Sequence, residues 1–126
     1  MSKDLIGDHV SVVIRLDGNN WLLENCRVEY MNAVGVSVDG DDCIVRNCYI
    51  SNNGQIGFNA NFTDNALFEN CVTMYNNYKL FSWSWGGGGN KLIPQSVGTK
   101  VKGLVSAFNY GAGLWHDFEL GGAVVE

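Results

Sequence analysis

Asp39, Lys91 and Asp117 are the residues whose types could do acid–base work in this chain. Two carboxylates cleave a glycosidic bond when one protonates the leaving oxygen and the other attacks or activates water. A lysine beside them would supply the positive partner. Four aromatic residues stand near these positions: Tyr78, Trp83 and Trp85 in a Gly-rich stretch, and Trp115 two residues before Asp117. A flat aromatic ring stacks on the apolar face of a pyranose, so these four are candidate sugar platforms. His116 has a side chain whose pKa would suit a base. The acidic run Asp39-Gly-Asp-Asp42 offers oxygen ligands that would suit calcium, and no other cofactor is expected.

These residues are positioned by a repeat. Ile14-Arg-Leu-Asp-Gly-Asn-Asn-Trp-Leu-Leu-Glu-Asn-Cys-Arg-Val28 aligns without a gap on Val36-Ser-Val-Asp-Gly-Asp-Asp-Cys-Ile-Val-Arg-Asn-Cys-Tyr-Ile50, 22 residues later. A third copy runs from Phe58 to Thr73, and Val101-Lys-Gly-Leu104 marks a fourth. Apolar and polar residues alternate over short runs, which predicts three short strands per copy, separated by bends. A unit this small cannot bury its own inner face, but stacked copies can, so the repeat predicts a solenoid. Asp17-Gly-Asn-Asn20 stands where Asp39-Gly-Asp-Asp42 stands one copy later, so the acidic run is first of all a turn.

The register assigns columns. Cys26, Cys48 and Cys71 share one inward column, and Cys43 takes the core position of Trp21; all four are expected to be buried free thiols. Asn25, Asn47 and Asn70, with Gly103 after them, sit at a sharp bend that needs left-handed backbone, and the three amides are expected to stack in the interior. On the first strand one outward column reads Arg15, Ser37, Asn59, Ile93 and Trp115, with Lys91 one step before it. The next column reads Asp17, Asp39, Asn61, Gln95 and Asp117. His116 has the opposite parity and is expected to point inward. The period breaks once, where residues 75–89 insert about a dozen residues ending in Gly86-Gly-Gly-Gly89. The glycines would let this loop lie close to the coil and wall the outer face of the first sheet.

The Asn-x-x-Ile/Val step after a short strand resembles the repeat of right-handed parallel β-helix proteins, the pectate-lyase-like superfamily. The segment Gly111-Ala-Gly-Leu-Trp-His-Asp117 is similar to a Gly-Leu/Ile-Trp-Phe-Asp stretch in a subset of bacterial β-helix repeat proteins. The resemblance implies an all-β right-handed parallel β-helix of about five coils, with three short strands per coil, over a single domain 1–126. It implies a polysaccharide or oligosaccharide partner along the outer face of the first sheet. It leaves open whether that chain is also cleaved, as by a polysaccharide lyase or a glycoside hydrolase. Asp39-Gly-Asp-Asp-Cys43 resembles a run in polygalacturonases, whose companion Gly-His-Gly and Arg-Ile-Lys motifs do not occur in this sequence. The alternative is a non-catalytic, self-associating β-solenoid fragment in which the aromatics only pack.

Composition narrows the partners. With a net charge of −5 and eight Lys+Arg, the chain lacks the basic stripe that nucleic acid needs. It has no apolar run long enough to span a membrane and no signal-peptide pattern. Free thiols favour a reducing compartment such as the cytoplasm. Asp4-Leu-Ile6 maps to an earlier coil and Gly122-Ala-Val-Val-Glu126 to a second strand, so the chain reads as a fragment whose open ends would associate, most simply as a dimer.

Overall fold

The computed structural model describes residues 12–93, 95–117 and 122–126. It is a parallel β-solenoid. The first coil carries β1 (Val12–Leu16), β2 (Leu22–Glu24) and β3 (Arg27–Glu29). The second carries β4 (Val34–Val38), β5 (Ile44–Arg46) and β6 (Tyr49–Ser51), and the third β7 (Ile56–Ala60), β8 (Leu67–Glu69) and β9 (Val72–Met74). The fourth has β10 (Asn90–Leu92), β11 (Lys100–Lys102) and β12 (Val105–Ala107); β13 (Trp115–His116) and β14 (Val124–Val125) belong to the fifth. Three parallel sheets result: β1-β4-β7-β10-β13, β2-β5-β8-β11-β14 and β3-β6-β9-β12. The first four coils thus carry the three strands per repeat that the alternation predicts, and among the described residues no helix is long and apolar enough to cross a membrane.

The inward residues of successive coils stack into one core. Val36, Val38, Val45, Ile50, Phe58, Phe68, Leu92 and Val101 are each at most 1% exposed. Phe58 and Phe68, from two different sheets, face each other with ring centroids 4.0 Å apart and planes at 13°. The cysteines are free, with Cys43, Cys48 and Cys71 buried and Cys26, in the first coil, only half-buried. The neighbouring Cys48 thiol, together with burial, pushes the Cys71 pKa up. Trp21 departs from the expected core position: it is 56% exposed, with its indole lying back over Gly18.

The asparagine column differs from the expectation. Asn25, Asn47 and Asn70 do take left-handed backbone, at φ of 57°, 53° and 51°, and Gly103 follows at 60°. Their side chains are exposed, because a left-handed residue between two short strands throws its side chain out of the bend. The buried amide ladder lies at another corner, between the third strand and the next first strand. There Asn53 Nδ2 donates to Asn76 Oδ1 at 3.0 Å, and Asn76 Nδ2 donates to Asn109 Oδ1 at 3.0 Å. Each oxygen also accepts a main-chain N–H of the coil before: Met31 to Asn53, Asn53 to Asn76, and Asn76 to Asn109. Asn53 and Asn76 also donate to the carbonyls of Val28 and Ile50.

Glycines make room for this ladder. A Cβ on Gly35, Gly57 or Gly89 would lie 2.8, 2.9 or 2.7 Å from the amide nitrogen of Asn53, Asn76 or Asn109, and equally close to the backbone oxygen of the next coil. No side chain fits such a gap.

Two measurements follow from this interior. Asn76→Ala should lower unfolding free energy by about 2 kcal/mol or more in urea, because it strands buried partners. Asn47→Gly, at an exposed left-handed bend, should stay within about 1 kcal/mol of the parent protein. Equal effects would show that the buried ladder is not the stabilising one. In thiol titration Cys26 should react in the native protein, while Cys43, Cys48 and Cys71 should wait for denaturant; a native disulfide among them would contradict the inward column.

Candidate functional site

The outer face of the first sheet forms the floor of a groove of about 770 Å³. Its column of pairing residues reads Arg15, Ser37, Asn59, Lys91 and Trp115. Lys91 therefore stands in the column itself, where Ile93 was expected. Ile93 takes the place expected for Gln95 in the next column, between Asn61 and Asp117, since its N–H bonds Ala60 as that of Asp117 bonds Leu92. The register is shifted by two residues because β10 turns a polar residue, Asn90, inward. Asn90 is 2% exposed, and its amide nitrogen donates to Thr73 Oγ1 and to the Gly113 carbonyl.

The inserted loop supplies one wall. Phe58 pairs with Asn90, 32 residues on, where Val36 pairs with Phe58, 22 residues on, so the fourth coil is reached ten residues late. Asn77 ties the loop down. Its Oδ1 accepts the Phe81 N–H at 2.8 Å, and its Nδ2 donates to the carbonyls of Phe81 and Tyr110. Phe81 packs inward at 6% exposure. The glycine run then passes close to the coil, as the sequence predicts: a Cβ on Gly86 would lie 2.8 Å from Gln55 Nε2, and one on Gly89 2.6 Å from the Gly113 carbonyl oxygen.

Lys91 joins the loop to the floor. Its Nζ donates to the Trp85 carbonyl at 2.5 Å, pairs with Asp117 Oδ2 at 2.8 Å, and lies 4.0 Å from the centre of the Trp115 ring. At the other end of the groove Arg15 Nε lies between two carboxylates, 2.7 Å from Asp17 Oδ1 and 2.5 Å from Asp39 Oδ2. The neighbouring carboxylates raise the Arg15 pKa, that of Asp39 first. Asp39 Oδ1 accepts from Ser37 Oγ and from Asn61 Nδ2. Arg15 and Asn61 thus hold Asp39 in place, a role that their repeat columns alone do not reveal.

The expected site residues fall into two groups. Asp39, Lys91, Asp117 and Trp85 line the groove. Trp115 lies beneath the Lys91 ammonium and outside the lining; Trp83 and Tyr78, 69% and 44% exposed, are on the loop away from the groove. Asp39 and Asp117 stand three rungs apart in one column, about 14 Å at the ~4.8 Å spacing of parallel strands. Two-carboxylate glycosidases need roughly 5–9.5 Å, so these two do not form such a pair. His116 pairs with buried Leu92 and so has the inward parity expected, but on β13, in the last coil, it is exposed. Among the described residues no group of three or more His, Cys, Asp or Glu side chains could hold a metal ion.

The floor also has groups that the repeat did not single out. Val34, Ile56 and Phe62 give it an apolar edge. Gln55 and Asn59, 2% and 7% exposed, line it with side-chain oxygens that have no hydrogen-bond partner.

Residues 10–113 match the family model described as "Right handed beta helix region". The chain belongs to that family, which fixes the solenoid as right-handed. No curated protein and no solved structure shows a significant match to the chain.

If Lys91 is the tie between loop and floor, Lys91→Met should make residues 75–89 more open to limited proteolysis and should shift tryptophan emission. An unchanged digestion pattern would show that Asn77 and Phe81 hold the loop without it.

Proposed function

We propose that the chain recognises a carbohydrate chain along the outer face of the first sheet, under the loop of residues 75–89. The observation that carries this reading is the groove itself: a rigid polar floor with one aromatic wall and unpaired amide oxygens. Trp85, 52% exposed, offers a ring for stacking. Asn59, Asn61 and Gln55 offer hydrogen-bonding groups to hydroxyls. Sites for small polar ligands combine apolar walls with a few placed polar groups in this way.

The reading favours binding over cleavage. Each groove carboxylate already faces a cation, Asp17 and Asp39 with Arg15 and Asp117 with Lys91. Asp39 and Asp117 are thus engaged in holding other side chains of the groove, and they stand too far apart to act as a two-carboxylate pair. Trp85→Ala should weaken binding of the strongest ligand from an oligosaccharide array by about tenfold in calorimetry, equal to about 1.4 kcal/mol, with little change in melting temperature. Unchanged affinity would remove the aromatic wall from the site.

A second reading, self-association through coil ends, is favoured by exposed apolar residues on the outer coils. Trp21 and Leu22 are 56% and 48% exposed in the first, and Val124 and Val125 are 42% and 55% exposed in the fifth. Strand edges and apolar surface both favour docking. Light scattering at micromolar concentration should give a dimer mass if these ends pair, and a monomer mass would overturn this second reading.

A further inference from the structure

We infer that the groove takes an uncharged saccharide, rich in hydroxyl donors, and discriminates against uronate chains. This rests on the carbohydrate reading above and adds the class of sugar. Three carboxylates, Asp17, Asp39 and Asp117, line the groove against two cations, Arg15 and Lys91. Neither cation stands apart from a carboxylate. Arg15 Nε is shared by Asp17 and Asp39, and Lys91 is held by Asp117, the Trp85 carbonyl and the Trp115 ring. A uronate carboxylate would need one of these cations and would meet its carboxylate partners at the same time. Like charges brought together in a partly desolvated site repel, and such repulsion is a common source of specificity.

The remaining floor asks for donors. Gln55 Oε1 and Asn59 Oδ1 are buried without a hydrogen-bond partner, and both residues line the groove between the two ion-pair clusters. An orphaned buried acceptor is costly, and a hydroxyl donor seated against the floor would relieve that cost. A hydroxyl satisfies such an oxygen; a carboxylate, which only accepts, does not. The −5 net charge of the chain acts in the same sense at longer range, opposing approach of a polyanion.

The test is calorimetry on the intact chain with two sets of hexasaccharides at low salt. One set is neutral: gluco-, manno-, galacto- and xylo-oligomers. The other is anionic: oligogalacturonate and oligoalginate. The strongest binder should be neutral, with every uronide at least tenfold weaker. Asp117→Asn, which frees the Lys91 ammonium from its carboxylate, should narrow that gap by strengthening uronide binding severalfold, and a gap left unchanged would overturn the role given to this ion pair. A uronide that binds as tightly as the best neutral oligomer to the parent chain would overturn the sugar class and leave the carbohydrate reading standing. Binding by no saccharide of either set would overturn both.

Discussion

The first two coils of this protein leave their third strand and enter the next first strand within four residues, 30–33 and 52–55. The amides of Asn53 and Asn76, both buried, and of half-buried Asn109 brace this corner from coil to coil. Each amide satisfies backbone groups of the turn, and two amide–amide bonds join the three in series. Glycines opposite them, Gly35, Gly57 and Gly89, let the backbones come close enough for the ladder to form. A buried polar network of this kind is stabilising when every member is satisfied and costly when one is missing. The position of β4, β7 and β10, and so of the groove floor, depends on this corner.

The same corner is where the chain departs from its period. The insertion begins just after β9 and ends just before β10, beside Asn76 and Asn77. Asn76 keeps the coil closed, while Asn77 folds the extra residues back and pins Phe81. The loop is thereby a fixed wall, and its Trp85 carbonyl meets the Lys91 ammonium over the floor. Stability and site geometry are coupled through two adjacent asparagines with different partners.

Much of this is legible in the sequence. The gapless match of residues 14–28 with 36–50 marks the solenoid, and its alternation marks which cysteines face in. The parity rule placed Asp39, Lys91 and Asp117 on the outer face. It mistook the Lys91 column by two residues because Leu92 is inward in either register, and only the burial of Asn90 decides between them. It also placed the amide stack at Asn25, Asn47 and Asn70, where the period is plain. Left-handed backbone at those positions explains the asparagines without any stacking. The true ladder was hidden because the loop separates Asn76 from Asn109 by 33 residues and because the first coil has Met31 at the same place. Trp115 illustrates a different limit. Its column was visible in the repeat, but a cation over its ring is a matter of three-dimensional packing.

Amide chemical-shift mapping with a saturating neutral hexasaccharide tests the central claim most directly, that a sugar chain lies on the first sheet under the loop. The account predicts shifts concentrated on Ser37, Asn59, Asn61 and Lys91 and on the Trp85 indole, with the asparagine ladder unmoved. Shifts gathered instead at the exposed stacked pair of Tyr75 and Phe108, or at the end strands, would contradict it.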